Sequence, residues 1–365
     1  MRNFVGKKIF FLALVLLGSC SAFTFAAKQP IVEYLFNEIG SKAESTGWDK
    51  TAFVLKNKDG EADLHTEGGL GVSGSLTDRA FDNTWWEKGS GNHGIAVQGK
   101  NSKELEGLKS CTWQGWFKSE ERLAPGARIF EKPGSYTLCG WNGSLQLAVG
   151  GVAVTSKRDY MVTDEWVYFA VTYDGTSNSE NVNFYVGSVT QPVKLVSTHT
   201  IDKSMGPSPH NAMRAGAWGI GTSALRAYLD NMRMFGSKSD NSGVLTLEEL
   251  EALRIKDTYI KVDGEKSKLN VSSETVALGE TVVITVEVRD VNDTIVGNRK
   301  VVIESVGGDI ALKPMTATAG ADGKAKFTLA SGKEGSLVVK ASIVSEQESD
   351  PIGIKEQVKI KFVKK

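Results

Sequence analysis

Between residues 61 and 67, side chains able to move protons or hold a cation recur at every second position: Glu61, Asp63, His65 and Glu67. Alternate residues of an extended chain share a face, so all four would line one side of a strand. Carboxylates brought that close raise one another's pKa, as glycoside hydrolysis requires of its acid. Glu61 and Asp63 are therefore the pair on which a polysaccharide-acting hydrolase or lyase would rest. The same pattern also describes a solvated strand face, and no aromatic strands flank this stretch to wall a sugar cleft. The reading carried forward is a non-catalytic protein, with the hydrolase or lyase as its alternative.

A second cluster falls at 238–249, where Asp240, Ser242, Gly243 and Glu249 sit at offsets suggestive of a calcium loop. Lys238 occupies the position of the first carboxylate ligand, which excludes that reading. Thr246 and Glu249 instead form a capping box that opens a short helix. The four histidines (65, 93, 199 and 210) show no metal-ligand spacing. No Ser/His/Asp triad can be placed from residue types alone.

Tryptophan offers another kind of chemistry. Trp113, Trp116 and Trp166 lie on strand patterns and belong to the core. Trp85, Trp86, Trp141 and Trp218 lie beside Gly, Asn or loop residues. Exposed indoles stack on sugar faces, so these four are the candidate glycan platform. Their other use would be to cover the ends of a sandwich.

The elements that must position these groups are strands. Residues 164–175 are apolar or aromatic at odd and even positions alike and close on Asp174 and Gly175, which reads as a strand buried on both faces. In residues 110–118, Cys111, Trp113, Gly115 and Phe117 share a face. Short strands recur through residue 235, with a helix over 247–254 after them, and the first unit is an all-β sandwich or jelly roll. Residues 255–266 read as a polar linker. Beyond it, alternation at 281–289, 300–304, 324–329, 336–342 and 355–363 fits an immunoglobulin-like sandwich over 267–365, without the Cys and Trp pattern of antibody domains.

The chain has 365 residues, 24% charged and 41% hydrophobic, with formal net charge zero. That length accommodates two moderate domains, and the lack of a basic face argues against nucleic acid as a partner. Arg2, Lys7 and Lys8 precede a short apolar run at 9–17, so residues 1–27 read as a signal peptide. Residues 17–20 resemble the bacterial lipobox, which would make Cys20 the lipidated first residue of the mature protein. Small residues at 24–27 offer ordinary cleavage instead. Either route exports the chain, to the cell surface as a lipoprotein or to the periplasm or medium. With Cys20 consumed, Cys111 and Cys139 remain as a candidate disulfide, with two buried free thiols as the alternative.

Trp116 within residues 112–118, the run 165–174, and residues 228–235 followed by Leu247 to Leu250 occur in the order found in one family. Together they resemble the laminin-G-like members of the concanavalin A-like lectin/glucanase superfamily, over roughly residues 30–254. The resemblance implies a jelly roll of two antiparallel sheets that serves binding or adhesion, with a glycan or a surface protein as ligand. It also implies calcium near the chain ends, at Asn37 and Asp230. Asn37 stands where Asp is common, which removes a charge from that site. Glycoside hydrolases of the superfamily carry an acidic run like that at 61–67, with one residue fewer between the positions of Asp63 and Glu67. Further on, residues 277–280, 286–290, 321–329 and 335–341 resemble the invasin-type bacterial Ig-like domain, which implies a spacer on a surface protein. Val296 replaces the proline usual before its second turn.

Overall fold

The structure, a computed structural model, describes residues 28–365 apart from 76, 85–93, 158–162, 209–210, 220–222, 292, 298, 321 and 345–349. Among the described residues the regular secondary structure is strand apart from one α-helix and a 3-10 turn, arranged as two successive sandwiches. The first is a jelly roll of a seven-stranded and a nine-stranded antiparallel sheet.

In the seven-stranded sheet the order is Val32–Tyr34, Tyr228–Ser237, Ser110–Lys118, Val167–Asp174, Val182–Ser188 and Lys194–His199, with Phe81–Asp82 also on Tyr228–Ser237. The central strand, Val167–Asp174, has alternate side chains on two different packing surfaces. Phe169, Val171 and Tyr173 meet Trp113, Phe117 and the opposite sheet in the main core. Tyr168 and Ala170 join Trp116, Phe235, Leu245 and Leu250 in a smaller cluster outside the sheet. That outer cluster lies under helix Leu247–Asp257, so a strand apolar on both faces has the second sheet on one side and a helix on the other.

The helix starts as its capping box dictates: the Thr246 hydroxyl accepts the Glu249 N–H at 3.2 Å, and the Glu249 carboxylate accepts the Thr246 N–H at 2.7 Å. It runs on to Asp257, inside the stretch expected to be linker. There the Asp257 carboxylate receives both terminal nitrogens of Arg233, at 2.8 and 2.7 Å, and the Trp116 indole N–H at 2.9 Å. The Arg233 Nε in turn donates to Glu33 at 2.5 Å. Three elements distant in sequence are thus tied by one guanidinium that is almost wholly buried.

Burial pushes the Glu33 carboxyl up, but Arg233, Thr46 and Lys256 outweigh it and hold the pKa at about 2 against an ordinary 4.5. A depressed folded pKa contributes stability above the unfolded value, and that stability is lost as pH falls through the folded one. The Glu33→Gln variant is therefore expected to have a lower urea midpoint than the parent at neutral pH. The gap should close between about pH 4.5 and pH 2. A gap that stays constant across that window would show that Glu33 is not held ionised by Arg233.

The second sandwich pairs a three-stranded sheet, Lys268–Val271, Thr281–Glu287 and Lys324–Ala330, with a five-stranded one. Its core is separate, built from alternate residues such as Val282, Ile284, Val286, Val301, Ile303, Val339 and Ile343. Val262 already belongs to this core and bridges Asp290. The connection between the modules is correspondingly short, from Thr258 to Lys261. Among the described residues no helix is long and apolar enough to cross a membrane.

Candidate functional site

The nine-stranded sheet has one face in the core and one turned outward. Along Tyr136–Trp141, Tyr136 and Leu138 enter the core, so Thr137, Cys139 and Trp141 face out. On the neighbouring strand Ser144–Val149, Leu145, Leu147 and Val149 point in, leaving Ser144, Gln146 and Ala148 outside. Register then sets the outward groups side by side: Trp141 opposite Ser144, Cys139 opposite Gln146 and Arg128, Thr137 opposite Glu131, and Glu131 opposite Arg214. The Arg214 guanidinium donates to the carbonyl of Trp218. A polar strip therefore runs across the sheet from Trp141, 40% exposed, to Arg214, whose guanidinium meets the backbone of Trp218, itself 48% exposed.

Within the strip, Arg128 Nε and the Thr137 hydroxyl both donate to Glu131 Oε1, at 3.2 and 3.3 Å. Glu131 Oε2 is buried and has no hydrogen-bond partner among the described residues. Gln146 donates to Thr155 at 3.0 Å, which holds its amide flat along the sheet. The arrangement has stacking surfaces, fixed donors and one unfilled acceptor. Its one thiol, Cys139, is buried and its pKa is pushed up by that burial, and among the described residues the strip has no pair of carboxylates.

Of the four tryptophans expected to form a platform, Trp141 is on this face and the exposed Trp218 meets its Arg214 end through the backbone; Trp85 and Trp86 lie outside the described residues, as does Cys20. The charged members of the strip carried no signal in the sequence. Arg128 and Glu131 are three residues apart, which strict alternation would put on opposite faces; the register shift between Arg128 and Phe130 brings them onto one. Arg214 sits on a two-residue strand too short to show a period.

The run 61–67 is not one strand. Glu61 pairs with Lys56 in the nine-stranded sheet, while His65 bridges Phe81 in the seven-stranded one, so the chain passes between sheets within this stretch. Glu61 accepts the Ser41 hydroxyl at 3.2 Å. Asp63 takes the His65 ring nitrogen at 2.9 Å and the Gly40 N–H at 2.9 Å. Slight burial pushes the Asp63 carboxyl up, but these hydrogen bonds outweigh it and leave its pKa below the usual value. That is the wrong direction for a carboxylic acid that must protonate a leaving group.

Asn37 and Asp230, the expected calcium ligands, hold a loop. Asn37 Oδ1 accepts the Arg79 N–H at 2.7 Å. Asp230 accepts the N–H groups of Val72 and Asn231 at 2.8 and 2.6 Å. Burial, with Asp78 and Asp257 nearby, pushes the Asp230 carboxyl well above the usual range. Among the described residues no set of three or more His, Cys, Asp or Glu side chains is grouped to hold a metal ion.

The candidate disulfide between Cys111 and Cys139 is absent, and its alternative is present instead: both thiols are free and buried. Cys111 faces the main core beside Trp113, whereas Cys139 is on the outer side of the opposite sheet near Gln146. Alternation turned the two side chains to different surfaces, and no side-chain rotation joins them.

Residues 266–362 match the family described as bacterial Ig-like domain, group 1. No curated protein matches the chain. Among solved structures, a candidate carbohydrate-binding protein from Bacteroides ovatus is 16% identical with a TM-score of 0.33, over 43% of this chain and 43% of its own. The chain thus spans less than half the length of that protein. The binding domain of botulinum neurotoxin serotype D is 11% identical, with a TM-score of 0.39 over 92% of this chain and 78% of its own. Botulinum neurotoxin type C, whose cell entry depends on interaction with two ganglioside molecules, is 11% identical, with a TM-score of 0.41 over 90% and 78%. None of these likenesses is close enough to carry those proteins' ligands to this chain.

Proposed function

We propose that this chain is an exported, non-catalytic binding protein. Its jelly roll recognises a carbohydrate on the outer face of the nine-stranded sheet, and its Ig-like domain, of the invasin type by resemblance, acts as a spacer at the cell surface. The observation that carries the reading is the polar strip from Trp141 through Arg128, Glu131 and Arg214 to Trp218. Its half-exposed indoles suit the C–H faces of sugar rings, and its planar polar side chains suit ring hydroxyls. The buried, unpartnered Glu131 Oε2 marks where a donor is wanted.

Calcium at Asn37 and Asp230 would have to displace the backbone N–H groups those side chains already hold. Recognition on the sheet face is therefore independent of the metal. The charged and apolar N-terminal segment supplies export, and Cys20 supplies a lipid anchor if the lipobox is the cleavage site. A glycan array probed with the secreted chain, in calcium and in EDTA, tests the proposal. Retained binding to a defined oligosaccharide class in both conditions supports it, and an array blank in both opposes it.

A further inference from the structure

Where the two modules meet, a cleft of about 320 Å³ opens between the jelly roll, the short connection and the tip of the Ig-like domain. Its most unusual lining residue is Asn231. The strand Tyr228–Ser237 slips register against Ser110–Lys118 between Asp230 and Arg233, and at that bulge Asn231 takes a left-handed backbone with φ 47°. Bulges re-aim side chains, and Asn is among the few residues that accept this conformation readily. The Asn231 backbone is held from beneath: its N–H donates to Asp230, and its carbonyl accepts from Gln114 and Arg233, each at 3.4 Å. Its side chain belongs to a residue only 7% exposed, yet the carboxamide is not sealed off: it bonds to no group among the described residues and its polar atoms open onto the cleft. A carboxamide that opens onto a cleft while the protein uses none of its hydrogen-bonding groups is free to bond a ligand there.

The surroundings indicate what kind of ligand. The Ser73 and Thr77 hydroxyls line the same cleft, while Tyr259 and Val291 give it an apolar wall. Its acids are engaged within the protein, Asp257 by Arg233 and Asp78 by Ser73. A carboxamide offers one donor side and one acceptor side, which matches two adjacent hydroxyl groups that each donate and accept. We propose that the junction cleft is a second binding site, for a single sugar residue with free neighbouring hydroxyls. In it the Asn231 Nδ2–H donates to one hydroxyl, Oδ1 accepts from the other, and the ring's C–H face lies toward Tyr259. This site is separate from the strip on the nine-stranded sheet and does not depend on that reading.

The test uses the whole mature chain and a panel of methyl glycosides of glucose, galactose, mannose, fucose and N-acetylglucosamine, followed by saturation-transfer NMR and calorimetry. The Asn231→Gly variant removes the carboxamide while keeping the left-handed backbone, and Asn231→Asp keeps the shape but loses the donor. At least one glycoside is expected to bind the parent with Kd of millimolar order or below. Both variants should weaken it about tenfold or more, with unfolding temperatures close to the parent's. A Trp141→Ala, Trp218→Ala double variant should bind that glycoside as the parent does. The proposal is overturned if no glycoside in the panel binds, if Asn231→Gly binds as well as the parent, or if the tryptophan variant abolishes binding. The last result would assign the sugar to the sheet face instead.

Discussion

Asp257→Ala is expected to destabilise the jelly roll by about 3–5 kcal/mol, the cost of removing one partner from a buried ion pair. The change leaves the Arg233 guanidinium, only 1% exposed, with Glu33 as its one remaining carboxylate, and it strips the acceptor from the Trp116 indole N–H. Asp257 is also the last helical residue, so its loss frees the helix end that is tied to the sheet through Trp116 and Arg233. All eight tryptophans lie between Trp48 and Trp218, so tryptophan fluorescence in a urea titration follows this module without contribution from the second. Replacing Arg233 with Met and Asp257 with Leu together should recover much of the loss, because no unpaired charge is then left inside. A double variant as unstable as Asp257→Ala would mean that the helix is held chiefly by the ion pair and not by the apolar cluster.

Trp141→Ala should lower affinity for the sheet-face ligand by on the order of 2 kcal/mol, about 30-fold, as for an aromatic anchor of an interface. Little stability goes with it. The indole is 40% exposed and takes no part in either core cluster of the jelly roll, so the unfolding midpoint should shift by no more than about 0.5 kcal/mol, as surface substitutions do. Trp218→Ala should behave alike, and the two losses should add if the indoles grip separate sugar units. The contrast is Trp113, wholly buried against Tyr136, whose truncation should unfold the module and not merely weaken its binding. Calorimetry with an oligosaccharide from the array reads these losses; unchanged affinity in both exposed-indole variants would remove the strip from recognition.

What could be seen beforehand depended on whether a feature was local. Thr246 and Glu249 are three residues apart, and their reciprocal hydrogen bonds follow from that spacing alone. The face shared by Cys111, Trp113 and Phe117 follows from period two, as do the inward valines and isoleucines of the Ig-like domain. Residues 166–173 could be read as doubly buried, yet not that a helix covers one of the two faces. Glu33 and Arg233 are 200 residues apart, and only the fold brings them together. Cys111 and Cys139 illustrate the reverse: each lies on a buried strand, but burial does not say which surface a side chain meets. At residues 61–67 the alternation of acids suggested one face, and the chain's passage from one sheet to the other broke it.

The sheet face and the acidic run at 61–67 make opposite claims on a bound oligosaccharide, and hydrogen exchange on the complex separates them. Binding on the strip predicts slowed exchange in Arg128–Lys132, Tyr136–Trp141 and Arg214–Ala215, with residues 61–67 unchanged. Protection confined to residues 61–67 and their neighbours, with those three strands unaffected, would contradict recognition by the outer sheet face.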